Sequence, residues 1–218
     1  HFENTSGPAP GAESSIVILQ DGSVAIAYLN QAQTIMYFSK SPTPDSTGTW
    51  TTRQVAVANT GTITNLSLFL LNNGRPAIAF SFPARTQLLV SSLVSGLGIW
   101  TESPNTGLSG ARNVSTVVLS NGLPGIFGYY QGSNTIVLSV NSAQSGLGSW
   151  TNNLVGSGIS SGYDKIEGTI LSNDLPAVVG LNDTIRSVRF YWTTAAYGSG
   201  TWNNTNPSVG YHHGLLDV

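Results

Sequence analysis

The stretches DSTGTW at 45–50, SGLGIW at 95–100, SGLGSW at 145–150 and YGSGTW at 197–202 each carry a glycine-bearing turn into a tryptophan. Trp50, Trp100, Trp150 and Trp202 therefore recur about every 50 residues, a period that marks a repeat architecture. Upstream of each, an apolar run enters a second turn: IVILQDG at 16–22, LFLLNNG at 68–74, TVVLSNG at 116–122 and GTILSND at 168–174. Gly, Asn and Asp at these turns tolerate positive φ and signal short hairpins. A second strand follows at once, VAIAY at 24–28, PAIAF at 76–80, PGIFG at 124–128 and PAVVG at 176–180. Proline at a strand's first residue forfeits no ladder donor. Ala25, Ala77, Gly125 and Ala177 are always small, which lets a neighbour pack closely.

The third strand reads TIMYFSK at 34–40, TQLLVSS at 86–92, NTIVLSV at 134–140 and SVRFYWT at 187–193, and the fourth starts at each repeating tryptophan. A unit of four short strands cannot bury both its faces alone and must stack on its neighbours. The expected fold is all-β, a β-propeller of four ~50-residue repeats, each a four-stranded antiparallel sheet. Residues 1–12 read as an N-terminal arm, 13–203 as the propeller, and 204–218 as a segment that closes the ring or donates a strand. Trp50, Trp100, Trp150 and Trp202 are expected at blade-to-blade contacts, where a buried indole is worth up to ~5 kcal/mol. Trp192 falls outside this register and is the one to be exposed or specialised.

Charged residues make up 8% of the chain and the net charge is −2. That charge offers no attraction to nucleic acid or an anionic membrane, and no apolar run is long enough to span a bilayer. There are no cysteines, so no disulfide framework and no thiolate-held metal is expected. His212 and His213 are adjacent and point apart in an extended segment, which makes a poor chelate. No cofactor and no metal are expected. The Ser/Thr/Asn/Gly-rich, charge-poor composition points to an extracellular or cell-surface setting.

The segment before each tryptophan resembles the Asp-box of sialidase-type propellers, roughly S/T-x-D-x-G-x-T-W. Thr43, Asp45, Gly48 and Trp50 carry the likeness in the first repeat; Ser95, Ser145 and Tyr197 stand where the Asp belongs in the others. The resemblance implies a propeller with a structural turn. It does not bring the sialidase arginine triad or its tyrosine nucleophile, for which the sequence has no matching motif. The repeats also resemble those of propeller lectins.

Candidate functional residues are few. The acidic residues lie mostly in turns and tails, with Asp164 and Glu167 around Lys165 as the only local cluster near the core. Sequons at Asn4, Asn65, Asn113, Asn182 and Asn203 are glycosylation candidates. Loops between second and third strands hold candidate ligand residues Asn30, Gln31, Arg85, Gln131, Asn134, Asp183 and Arg186. The composition thus leads to the expectation of a non-enzymatic structural or adhesive building block, self-associating and N-glycosylated. Its partners would be copies of itself, glycans, or both. The alternative is a carbohydrate-binding propeller lectin, and the third reading is a degenerate glycosidase-like propeller.

Overall fold

The computed structural model describes residues 10–57, 61–130, 133–157, 165–182 and 187–206, with the backbone alone at 10–12, 57 and 182. Among the described residues, sixteen strands are arranged as four sheets. The first holds β1 (Pro10–Ile18), β2 (Val24–Asn30), β3 (Ile35–Lys40) and β4 (Thr51–Val57). The second holds β5 (Asn65–Leu70), β6 (Pro76–Phe82), β7 (Arg85–Ser91) and β8 (Trp100–Glu102). The third holds β9 (Ala111–Val118), β10 (Pro124–Tyr130), β11 (Thr135–Asn141) and β12 (Trp150–Gly156). The fourth holds β13 (Lys165–Ile170), β14 (Pro176–Asn182), β15 (Ser187–Thr193) and β16 (Trp202–Thr205). In each sheet the strands follow chain order and pair antiparallel. This is the four-blade propeller expected from the repeat. β1 begins at Pro10, inside the expected arm; the rest of that arm and residues 207–218 lie outside the described residues.

The hairpin turns form as their residues dictate. Gly22, Gly74, Gly122 and Asp174 take φ of 80°, 76°, 80° and 63°. In the first turn the Gly22 N–H donates to the Leu19 carbonyl at 2.9 Å, and Leu19 N–H donates to the Ser23 carbonyl at 2.8 Å. The same pair of bonds recurs around Leu71, Leu119 and Leu171. In the first turn Asp21 accepts hydrogen bonds from the Ser23 backbone and hydroxyl and an ion pair from Lys40 at 3.0 Å. The Ser23 bonds first, then Lys40, hold its carboxyl down to about 2. A carboxyl bound less tightly to its proton when folded contributes stability above its ordinary value of 3.8, and loses it as pH falls through the folded value. Asp21→Asn is expected to flatten the acid limb of stability between about pH 4 and pH 2, read by thermal unfolding across that range. The effect is small because the side chain is largely exposed.

Successive blades are joined at their inner strands, with β1 beside β5, β5 beside β9 and β9 beside β13. Side chains of one inner strand satisfy backbone donors of the next. Ser15 Oγ accepts from Leu68 N at 3.0 Å, Asn65 Oδ1 from Val114 N at 3.1 Å, and Ser115 Oγ from Gly168 N at 2.9 Å. An inner strand has a ladder partner on one side only, so these bonds occupy donors that the sheet leaves free.

Three apolar cores fill the three spaces between consecutive blades. Each is built the same way. The third strand of one blade offers Phe38, Leu88 or Leu138, all fully buried, and the next blade covers it with the turn that leads into its tryptophan. Gly96 comes so close that a Cβ there would stand 2.2 Å from the Phe38 ring; Gly146 and Gly198 meet Leu88 and Leu138 in the same way. Trp100 lies 5.3 Å from Phe38 and Trp202 6.0 Å from Phe127, ring centre to ring centre. Their indole N–H groups donate back to the turn carbonyls of Gly96 and Gly198 at 3.0 and 3.2 Å. Trp150 packs between blades two and three and donates to Ser103 Oγ at 2.8 Å. Trp50 belongs to the first blade and is partly exposed.

One repeated feature escaped the sequence reading. Nine residues before each tryptophan sits a fully buried polar side chain, Ser41, Ser91, Asn141 or Thr193. Each ties the turn together; Asn141 Nδ2, for example, donates to the Gly146 and Gly148 carbonyls at 3.1 and 3.0 Å. The residue type varies, so no motif announces it. In the first repeat Asp45 adds bonds from Thr43 and Thr47, which hold its carboxyl below the ordinary range, Thr43 first.

Among the described residues, the two outer faces of the array are less covered than the faces between blades. Extended packing of the kind that joins the other inner strands does not link β13 to β1 among the described residues. On blade one, Ile16 and Ile18 are 64% and 66% exposed, whereas Leu68, the blade-two equivalent of Ile16, is 6% exposed. On blade four, Val179, Phe190 and Trp192 remain partly exposed.

Candidate functional site

Side chains of a strand alternate between its faces, so residues six and four places before each hairpin leucine share one face of each inner strand. Six places before stand Glu13, Asn65, Asn113 and Lys165; four places before stand Ser15, Ser67, Ser115 and Glu167. Blades one and four thus carry charge where blades two and three carry only amides and hydroxyls. Glu13 is half-buried on β1. Burial pushes its carboxyl above the ordinary value, and the Lys165 ammonium pulls it part of the way back. The first and last blades therefore approach electrostatically at this level, although one residue lies near the start of the chain and the other near its end.

Glu167 lies two residues beyond Lys165 on the same face. Ser115 Oγ donates to its Oε1 at 2.9 Å while accepting from Gly168 N at 2.9 Å. That hydroxyl has both functions fixed, so it orients the carboxylate. Glu13, Lys165, Glu167 and Ser115 form the candidate centre. It combines a carboxyl biased toward its protonated form, an exposed carboxylate with one oxygen held, and an ammonium. Among the described residues no group of three or more His, Asp or Glu side chains is set to hold a metal ion.

The other carboxylates lie elsewhere. Asp21, Asp45 and Asp174 belong to turns, and Glu102 sits on the outer strand β8, where it accepts from Gln87 Nε2. Asp164 lies outside the described residues.

Of the loop residues singled out as ligand candidates, Asn30 closes its own turn, its Oδ1 accepting from Thr34 N and Ile35 N at 2.8 and 3.0 Å. Asn134 takes φ of 51° and accepts from the Tyr129 hydroxyl at 2.9 Å. The Arg85 guanidinium lies over the Phe82 ring at 5.4 Å, and Gln31 is exposed. Gln131, Asp183 and Arg186 lie outside the described residues. Of the sequon residues, Asn65 and Asn113 are half-buried on inner strands, Asn203 is half-buried on β16, Asn182 has only its backbone described, and Asn4 lies outside.

No family model matches the chain, and no curated protein does. Solved structures do. A protein of unknown function from Dyadobacter fermentans superposes with a TM-score of 0.66 at 12% identity, over 87% of this chain and 67% of its own. A family 117 glycoside hydrolase from Zobellia galactanivorans gives 0.60 at 13%, over 96% and 73%. An α-L-arabinofuranosidase from Lactobacillus brevis gives 0.61 at 12%, over 88% and 71%. Exo-β-1,3-galactanases and an ulvan lyase, of which this chain spans about half, share the likeness. At such identities the likeness shows the fold alone.

These neighbours contradict the expectation of a non-enzymatic structural or adhesive protein: those with a stated activity are glycoside hydrolases, with a polysaccharide lyase among them. The physical reason for the error is topological. In the sequence the acidic residues read as lying mostly in turns and tails, whereas the fold places both Glu13 and Glu167 on inner strands. Neither the sialidase-type family nor any other repeat family is identified by these matches.

Proposed function

We propose that the protein is a carbohydrate-active enzyme that cleaves glycosidic bonds at the inner ends of blades one and four. The observation that carries this reading is the placement of Glu13 and Glu167 on inner strands around Lys165, with the Glu13 carboxyl biased toward its protonated form. Glycoside hydrolysis asks for two carboxyl groups in different protonation states flanking the bond. Glu13 donates its proton to the departing glycosidic oxygen as the carbon–oxygen bond breaks. Glu167, oriented by Ser115, accepts a proton from the water that adds to the anomeric carbon. Lys165 keeps the Glu13 proton labile enough to leave.

The carbohydrate-cleaving neighbours support the reaction class, and an extracellular or cell-surface location suits a polymeric substrate. The Asp-box-like turn around Asp45 serves the architecture in this reading and takes no part in the chemistry. The test is reducing-end release from β-1,3-galactan and arabinan by the purified chain. Release that disappears in both Glu13→Gln and Glu167→Gln supports the reading; release unchanged in either variant removes that residue from the chemistry.

The alkaline limb has a definite sign. A proton donor must be protonated, so turnover falls as pH rises through the Glu13 value. Lys165 lowers that value, so Lys165→Met is expected to shift this descending limb to higher pH in a pH–rate profile.

A further inference from the structure

We infer that the outer face of blade four is a binding wall for a neutral polysaccharide chain, with Trp192 as its stacking platform. The inference rests on the carbohydrate reading above and names the substrate class. Register places three rows on this face: Thr169, Ala177 and Trp192; Glu167, Val179 and Phe190; Lys165, Leu181 and Val188. Phe190 and Trp192 stack with ring centres 5.6 Å apart and planes 22° from parallel, giving a flat aromatic step that is partly exposed.

The face differs in chemistry from the covered faces of blades two and three. The row equivalent to Thr169–Ala177–Trp192 reads Phe69–Ala77–Val90 in blade two and Val117–Gly125–Val140 in blade three. Those rows are aliphatic or aromatic inside and aliphatic outside, and they are buried. In blade four the inner apolar side chain has become a hydroxyl and the outer valine a tryptophan. The neighbouring Asn and Ser positions have become Lys165 and Glu167.

A further sheet packed on this face would have to bury an ammonium and a carboxylate, which is costly. A sugar has the matching chemistry. Its pyranose C–H face lies on an indole, and its hydroxyls reach outward to Thr169, Glu167 and Lys165. Binding sites of this kind combine aromatic walls with a few placed polar groups. Lys165 and Glu167 carry opposite charges, so the wall favours a neutral chain over an anionic one. The same two residues belong to the catalytic centre proposed above, so a chain lying along the wall leads to the reacting carboxylates.

The experiment is affinity electrophoresis of the whole chain in gels containing β-1,3-galactan, arabinan or, as the anionic comparison, ulvan. It is run in the wild-type and in the Glu13→Gln background. Retardation by a neutral probe that weakens at least tenfold in Trp192→Ala, and at most threefold in Trp192→Phe, supports the wall. Thermal unfolding of both variants separates lost binding from lost folding. Equal retardation of wild type and Trp192→Ala, retardation by ulvan alone, or none by either neutral probe overturns it. So does concentration-dependent association in sedimentation that Trp192→Ala abolishes, because that assigns the face to a second copy. Binding that needs Trp192 without any turnover leaves the wall standing and removes the enzymatic reading; turnover indifferent to Trp192 does the reverse.

Discussion

Glu13→Gln is expected to lower kcat on a polysaccharide about a thousandfold while changing KM little. The amide keeps the shape and partial burial of the side chain but has no proton to give, and general acid catalysis is worth roughly 10²–10⁴ in rate. The loss should depend on the leaving group. An aryl glycoside whose phenol departs without protonation should retain turnover within about tenfold of the wild type, while an alkyl or sugar leaving group should not. A merely structural role for Glu13 moves both substrates equally, so their ratio is the measurement that decides. Stability has its own sign. Because burial raises the Glu13 carboxyl in the folded chain, the protonated form is the better fit. Its contribution is fully present below the ordinary value of 4.5 and is lost as pH rises through the folded value. Glu13→Gln should remove that part of the pH dependence along with the activity.

The fold was legible because each of its devices repeats. Positive-φ turn residues, a small residue early in the second strand, and a glycine–tryptophan turn recur four times, and a repeated signal survives the substitution of any one copy. Thus Asp174 replaces glycine in the fourth hairpin and still takes φ of 63°. The site was illegible for the opposite reason. Glu13 and Lys165 occupy equivalent places in the first and last blades, but they differ in charge from each other and from Asn65 and Asn113 between them. An alignment of the copies makes such positions look merely variable. Only the folded arrangement shows that Lys165 of the last blade acts on Glu13 of the first. The second-to-third-strand loops were attractive as ligand contacts because they are polar. Asn30 and Asn134 instead spend their side-chain oxygens on their own blades, a demand of the backbone that residue type alone does not disclose. Trp192 stood out as the tryptophan off the register, and its place on a partly exposed face beside Phe190 gives that irregularity a physical content.

The largest effect on stability is expected at Phe38. Its ring is fully buried between blades one and two, against Gly96 on one side and Trp100 on another. Phe38→Ala removes the ring and leaves a cavity that the Gly96 turn cannot fill without moving, at a cost of about 3–5 kcal/mol. For a chain of this length that corresponds to a fall in Tm of roughly 10 °C. Gly96→Ala attacks the same contact from the other side. It places a methyl group where the Phe38 ring already is, and it forces a side chain to adopt φ of 72°, itself a cost of about 1–2 kcal/mol. Since both changes open one shared contact, the double variant should lose clearly less than the sum of the two single losses. Among the described residues the blades pack mainly through the faces of consecutive sheets, so the damage should also be local, as in other repeat arrays. Amide exchange should accelerate in β2 and β3 before it does in β14 and β15. Uniform acceleration across all four sheets, or additive losses in the double variant, would show that the first interface is not an independent packing unit.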